Sequence, residues 1–511
     1  MSLEYAVPKR SGDARPAVFP VDDLTKAPPM PTSVATFCEQ YLKALEDGGA
    51  ALFAGAGLSI PSGFVDWKTL LAGVVADLKL DPQTEDLVAV AQYHVNEQAG
   101  RGRINQILIE EFTRDARPSR NHQILARLPI ETIWTTNYDT LLEDAFRAEY
   151  KRVDVKHRQD QLALSLPRRD LTLYKMHGDA STPGEAVLTK EDYETYHQTR
   201  RLFSYQLQGD LVSKTFLFLG FSFSDPNIDY VLGRIRGLIG QNRREHYCIM
   251  KTLDKPKGRG KSKALADYEY NRRRQELRIG DLKRYGIQAV MISDYSEITT
   301  ILEGLSRLVH RKNVFVSGSA HDYEPFGQVR VEGLSRALGR AIIERGFKLT
   351  SGFGKGVGGW VILGAMEALY RDARGRVDER LTLRPFPQDP PEGMSRADMW
   401  TRYRREMIGQ AGAAVFIAGN KEQDGGVVAG DGCYEEFRIA KANGRAPIPI
   451  GSTGHVAAQI WQEVYADVAT FYPGQVSAAR VALQVLNSAA APEAEIVDAV
   501  FKLVDLSGRT S

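Results

Sequence analysis

The chain has 511 residues, 43% hydrophobic and 25% charged, a length that suggests two domains or more and a balance that excludes wholesale disorder. Sixty-six basic against 64 acidic residues leave a formal charge of +2, which excludes a polyelectrolyte drawn as a whole to nucleic acid or acidic membrane. Cys38, Cys248 and Cys433 form no CxxC pair, which excludes a four-cysteine zinc site and points to a reduced, cytoplasmic chain rather than a disulfide scaffold.

Residues 1–32 carry charges and several prolines without an apolar signal core. They are expected to form an arm, loose or strapped across a neighbouring subunit. Val34, Phe37, Tyr41, Leu42 and Leu45 have helical spacing, which predicts a helix from Ser33 to Asp47. Buried strands are expected at 50–54, 130–135, 171–176, 215–219, 246–250 and 288–292, with helical patterns between them and a closing helix over 297–309. Residues 251–284 are basic and turn-rich. A nucleic-acid patch is possible there in principle, but acidic residues are interspersed and aromatics are few, so a solvated loop and exposed helix face is the preferred reading. Past Arg311 a second unit starts: strands at 313–317, 348–350, 413–417 and 446–450, a helix over 329–345, and a glycine loop at 352–359 that opens another helix. The tail from Gln459 to Ser511 has helical spacing again, suited to a core role or an oligomer contact. Strands alternating with helices predict an α/β fold with two layered parallel-sheet domains, 33–310 and 311–511. No run approaches the ~20 apolar residues of a membrane helix.

Four polar motifs each follow an apolar strand, where open sheets gather ligand-binding residues. They are Gly55-Ala56-Gly57-Leu58-Ser59, Thr135-Thr136-Asn137-Tyr138-Asp139, Lys175-Met176-His177-Gly178-Asp179 and Gly220-Phe221-Ser222-Phe223-Ser224-Asp225. Taken singly, Asn137 could cap a helix, His177 could be a satisfied core histidine, and Ser222 and Asp225 could turn the chain. Taken together they predict one shared crevice. Small residues after the first strand would let phosphate approach backbone N–H groups at a helix start.

This combination, in this order, resembles the sirtuin family from Ser33 to Val309. The zinc-binding cysteines of protein deacylases are absent, as in the zinc-free bacterial branch whose members consume NAD without an acyl-lysine. The resemblance implies NAD as substrate and no metal. Asn137 and His177 are then the catalytic candidates: the amide holds water or ribose, and the imidazole accepts a proton. Ala54, Gly55, Ser59, Asp66, Asp139, Gly220, Ser222 and Asp225 are the NAD-binding candidates.

In the second unit, Gly318-Ser319 follows a strand, Gly352-Phe353-Gly354 opens a glycine-dense loop able to aim N–H donors at phosphate, and Arg384, Arg402, Arg404 and Arg405 offer guanidinium forks. Gly432-Cys433-Tyr434-Glu435-Glu436 adds two carboxylates. From Lys312 to Gly451 this resembles the SLOG family, with Cys433 at the position where the enzyme branch has threonine; that favours ligand sensing over phosphoribohydrolase chemistry. The signal-binding candidates are Gly318, Ser319, Gly352, Phe353, Gly354, Arg384, Arg404, Arg405, Glu435 and Glu436. A sirtuin-like unit followed by a SLOG unit resembles the NAD-hydrolysing effectors of the Thoeris anti-phage system. That implies activation by a cyclic ADP-ribose isomer from a TIR-domain enzyme, and a homotetramer or larger assembly. A deacylase and a non-catalytic nucleotide-binding regulator are the competing readings.

Overall fold

A computed structural model describes residues 31–81, 86–221, 223, 232–233, 244–256, 263–371 and 377–507. Seven parallel strands build the first sheet: β1 (Ala50–Ala54), β2 (Thr132–Thr135), β3 (Val153–Lys156), β4 (Leu171–Lys175), β5 (Thr215–Leu219), β6 (His246–Lys251) and β7 (Ile287–Ile292), in the spatial order β3-β4-β2-β1-β5-β6-β7. Alternate residues of each strand feed opposite faces. Leu52, Ile133, Leu173 and Leu217 pack on one side of the sheet, and Phe53, Trp134, Phe216 and Phe218 on the other. Both faces are covered, so the central strands read as unbroken apolar runs.

The helix Val34–Glu46 begins where Ser33 accepts the Thr36 N–H at 3.1 Å, and it buries Phe37, Tyr41 and Leu45. Beside it, the helix Ser296–His310 places Ile301, Leu302 and Leu305 in the same core. The strand β3 was not expected from the sequence. Its buried positions are Asp154 and Lys156, while Val153 and Val155 are only half-buried. The two charges neutralise each other at 2.7 Å, so the alternation that marks a strand is inverted in polarity. In the basic stretch, Lys263–Arg284 is a helix that buries Ile279 and Leu282. Arg272 and Arg273 pair with Glu276 at 2.9 and 3.2 Å, which is the solvated-face arrangement; residues 257–262 lie outside the described residues.

Arg311 and Lys312 lead into a second parallel sheet of β8 (Asn313–Ser319), β9 (Lys348–Ser351), β10 (Leu381–Leu383), β11 (Ala413–Ala418) and, after the antiparallel hairpin β12 (Asn420–Gln423) and β13 (Gly426–Ala429), β14 (Ala446–Ile450). Its order is β10-β9-β8-β11-β14. The tail helices Val476–Leu486 and Glu493–Ser507 put Leu483, Leu486, Val500 and Phe501 into this core. Where the units meet, a Cβ on Gly412 would overlap the carbonyl of His310, and the buried Arg445 donates to Gly409 O at 2.8 Å beside Ser306. Among the described residues no helix is long and apolar enough to cross a membrane.

A buried histidine makes the first domain acid-sensitive. His122, fully buried in the helix Arg120–Arg127, accepts the Ser119 N–H through Nδ1 at 3.2 Å. Burial holds its imidazole down at about 4, whereas an unfolded histidine takes up its proton near ~6.5. Between these values the unfolded chain binds more protons. Stability is therefore full above ~6.5 and falls as the pH drops toward about 4. Chemical denaturation at pH 7.5 and pH 5 should show this loss, and His122→Gln should remove its own share of it, leaving that of His310, whose imidazole burial holds down at about 3.

Candidate functional site

On one side of β1 lie β2, β4 and β3, and after these the chain crosses to the other side of β1 with β5, β6 and β7. The reversal falls between β1 and β5, and open sheets form their ligand crevice beyond the strand ends at such a point. The register aligns the strand ends: Ala54 pairs with Thr135 and Leu219, and Thr135 with Lys175. Asn137 and His177 each stand two residues beyond that row on adjacent strands. Gly55 and Gly220 stand one residue beyond it.

The glycine turn is built differently from the expected phosphate cradle. No α-helix starts after β1; two short 3₁₀ turns, Ala56–Leu58 and Ile60–Ser62, follow it. Gly55 and Gly57 donate their N–H groups to Leu219 O and Gly220 O at 2.9 and 3.0 Å, so in this structure neither offers a donor to phosphate. The small residues have a packing reason instead. A Cβ on Gly55 would overlap Gly220 O, and one on Gly220 (φ +67°) would overlap Leu58 N. Two backbone turns pack against each other where side chains would not fit.

Asn137 does not cap a helix; the next one starts at Leu141 with Thr140 before it. Its Nδ2 donates to Gly55 O at 3.1 Å and to Ser59 Oγ at 3.0 Å. Ser59 Oγ donates to Asp139 Oδ2 at 2.8 Å, and Asp139 Oδ1 accepts the Leu141 N–H at 3.0 Å. Ala54 contributes its carbonyl, which accepts from Thr135 Oγ1 at 3.0 Å. Burial pushes the Asp139 carboxyl above its usual range, against the pull of Ser59 and nearby Lys175. Lys175 itself is fully buried. The sequence shows it at the head of the motif that holds His177, and nothing in that position marks it as a hub.

His177 is buried, with the rings of Tyr193 and Tyr196 edge-on at centroid distances of 5.7 and 6.3 Å. Its carbonyl accepts the Val187 N–H at 2.8 Å. Asp66 is an exposed cap, accepting the Thr69 N–H at 2.8 Å, a bond that holds its carboxyl below the usual range. It makes none of the hydrogen bonds that join Asn137, Ser59 and Asp139. Ser222 and Asp225 lie outside the described residues.

The second sheet repeats the logic. Its reversal falls between β8 and β11, where Gly419 N–H bonds Ser319 O at 2.9 Å. A Cβ on Gly354 would overlap Gly318 O, and one on Gly352 would meet the Phe386 ring at 2.9 Å. Phe353, at φ +62°, holds a half-exposed ring at the same edge. Arg404 is buried and grips Glu435 Oε2 at 2.6 Å and Glu436 Oε1 at 3.4 Å. Its guanidinium lies 5.0 Å from the Phe386 ring centroid and 5.9 Å from that of Trp400. Ser317 Oγ donates to Glu436 Oε2 at 2.5 Å, and Thr401 Oγ1 to Glu435 Oε1 at 2.5 Å. Burial pushes the Cys433 thiol up to about 12, an unreactive state. Arg384 sits 5.8 Å from the Tyr403 ring centroid, with Glu406 at 3.9 Å. Arg405 is exposed and faces elsewhere, into a cleft of about 1230 Å³ that it lines with Arg127, Glu149, Tyr150 and Glu435. The two neighbouring arginines, equal candidates in the sequence, thus occupy different environments.

A SIR2-like domain model matches residues 131–271, and the Sir2- and TIR-associating SLOG family model matches residues 297–507. NAD(+) hydrolase ThsA of Bacillus cereus (strain MSX-D12) is 42% identical over 475 residues, covering 93% of this chain and 98% of the relative. The chain belongs to the ThsA family. NAD(+) hydrolase ThsA of Acinetobacter baumannii (strain 532279) is 41% identical and covers 92% of this chain and 98% of its own length. A more distant relative, Defense-associated sirtuin 2 of Bacillus subtilis, is 28% identical over 45% of this chain and 23% of its own length. The SLOG model of this ThsA-family chain begins inside the helix Ser296–His310, whose apolar face packs on the first sheet. Among the described residues no group of three or more His, Cys, Asp or Glu side chains is arranged to hold a metal ion.

Proposed function

We propose that this chain hydrolyses NAD to nicotinamide and ADP-ribose in the crevice between β1 and β5, and that a cyclic ADP-ribose isomer bound between β8 and β11 turns the reaction on. The observation that carries the reading is the placement of an amide and an imidazole, Asn137 and His177, at the same level beyond the ends of the adjacent strands β2 and β4, in a chain whose relatives are named NAD(+) hydrolases.

The C1′–N bond breaks with its electron pair going to nicotinamide, which leaves neutral. Water oxygen bonds to C1′, and its proton is released. The transition state has oxocarbenium character. Both amide hydrogens of Asn137 are committed to Gly55 O and Ser59 Oγ, so Oδ1 is the atom it presents to water or to a ribose hydroxyl. His177 receives the proton and passes it to solvent. Asp139 sets the polarity of the hydrogen bonds around Asn137. Gly55 and Gly220 shape the crevice by packing backbone against backbone, and Ala54, Ser222, Asp225 and Asp66 serve the rest of the dinucleotide.

In the SLOG unit, Arg404 with Glu435 and Glu436, Arg384, and the backbone at Gly318, Ser319, Gly352, Phe353 and Gly354 receive the signal, made by a TIR-domain enzyme in an infected cell. Shifting the resting population from about 1:99 to 99:1 needs about 5.5 kcal/mol of differential binding, within reach of a pyrophosphate ligand gripped by guanidinium groups. A cytoplasmic homotetramer or larger assembly is the working form, and NAD depletion is the defence. Nicotinamide release from NAD by the purified chain, with and without a panel of cyclic ADP-ribose isomers, tests this. Release with one isomer alone supports both parts. Release with none needed removes the gate. Silence throughout, with acetyl-lysine peptide turned over instead, establishes a deacylase.

A further inference from the structure

We propose that Lys175 is the positioning residue for Asn137, acting through Asp139 and Ser59; the inference rests on the hydrolase reading above. Lys175 ends β4 opposite Thr135 of β2. Its ammonium has three donors, and four acceptors close around it: Tyr138 O at 3.1 Å, Asp139 O at 2.7 Å, Glu143 Oε1 at 3.0 Å and Asp179 Oδ2 at 2.5 Å. The first two belong to the turn that follows Asn137. Glu143 lies on the helix that this turn enters, and Asp179 lies two residues beyond His177. One buried cation therefore ties together the two loops that carry the amide and the imidazole.

The link to Asn137 has a direction. An ionised carboxylate only accepts hydrogen bonds. Asp139 Oδ2 therefore takes the single hydrogen of Ser59 Oγ. That hydroxyl can then only accept from its other neighbour, so Asn137 must turn Nδ2 toward it. The amide oxygen is thereby left for the substrate side. The direction depends on Asp139 remaining ionised in a buried site. Burial works against that, and the charge of Lys175 works for it. Glu143, also pushed up by burial, is opposed by the same lysine. Burying an ammonium is costly, and apolar replacements of buried ion pairs are often as stable. Three of the four acceptors sit on the two loops of the crevice and the fourth, Glu143, on the helix the first loop enters, where orientation rather than stability is what the ion gains.

Three variants in the full-length chain test this: Lys175→Met, the near-isosteric Asp139→Asn, and Ser59→Ala. Each should lower kcat for nicotinamide release by ~100-fold, the scale of a small misplacement of a reacting group. KM for NAD should stay within about threefold, the mark of an interaction that matters after binding. Because the three act through one link, Ser59→Ala combined with Lys175→Met should cost no more than the worse single change. Multiplying effects, or a Lys175→Met enzyme with kcat within about threefold of the parent, overturn the proposal. Should Lys175→Met not fold, Asp139→Asn decides: its amide can donate to Ser59 and reverse the link, so unchanged kcat defeats the argument. A parent enzyme that releases no nicotinamide under any condition defeats the hydrolase reading instead. Hydrogen exchange then decides the positioning claim. Faster exchange over 137–141 in Lys175→Met or Asp139→Asn, by ~10-fold with the rest of the sheet unchanged, upholds it, and unchanged exchange there rejects it.

Discussion

Asn137→Ala is expected to lower NAD cleavage by about 10²–10³-fold, the usual cost of deleting one polar group that meets the reacting centre, while the protein remains folded. The methyl removes Oδ1 from the crevice and leaves Gly55 O and Ser59 Oγ without the donor they now share. Losing that donor costs about 1–3 kcal/mol if the acceptors stay dry. The site lies at the end of a sheet and Asn137 is 8% exposed, so water can take its place and the loss should fall at the lower end. Asn137→Asp is the sharper companion. It keeps the shape but replaces the donor with an acceptor facing Gly55 O, and should be as inactive as Asn137→Ala. Nicotinamide release in single turnover, alongside a thermal unfolding curve, reads both quantities. An alanine variant with more than about a third of parental turnover would remove Asn137 from the reaction.

Arg404→Ala should abolish activation by the cyclic signal and destabilise the SLOG unit by about 3–5 kcal/mol, as expected when one partner of a buried ion cluster is deleted. The guanidinium is the counter-charge for Glu435 and Glu436, and Glu436 is 6% exposed. Burial already pushes the Glu436 carboxyl upward, opposed by Ser317 and Arg404. With the arginine gone, two carboxylates would face the proposed signal pocket, and toward a pyrophosphate repulsion would replace attraction. Gly432 sharpens the requirement, since a Cβ there would come within 2.6 Å of Arg404 Nη2. Arg404→Lys separates charge from shape: an ammonium restores part of the stability but cannot reproduce a fork that meets two carboxylates. Calorimetric unfolding and titration with the activating isomer give the two readouts. Arg405→Ala should bind the isomer as the parent does, because Arg405 points into the cleft between the units. Activation that survives in Arg404→Ala and fails in Arg405→Ala would move the sensor to the cleft.

Several features of the crevice could not be read from residue order. The motif GAGLS looked like a turn into a helix that offers free N–H groups. In three dimensions those N–H groups bond the neighbouring strand end, and the glycines exist because Gly220 presses against them. Lys175 was visible only as the first residue of the motif that holds His177, since its partners at 138, 139, 143 and 179 converge only when β2 and β4 pair. The strand β3 escaped because its buried face is an Asp–Lys pair, and β10 because three residues carry no period.

The sequence by itself determined the α/β class, most strand positions and the membership of two linked families. Those properties reside in local periodicity and in short contiguous motifs, which need no knowledge of what lies across the sheet. Only the tertiary structure decided the strand order, the reversal points at β1/β5 and β8/β11, the direction of the Asp139–Ser59–Asn137 link and the separation of Arg404 from Arg405. The physical reason is that burial and hydrogen-bond direction belong to pairs of groups distant in the chain. A lysine in an apolar strand, or two adjacent arginines on one helix, acquire different characters only when packing assigns their neighbours.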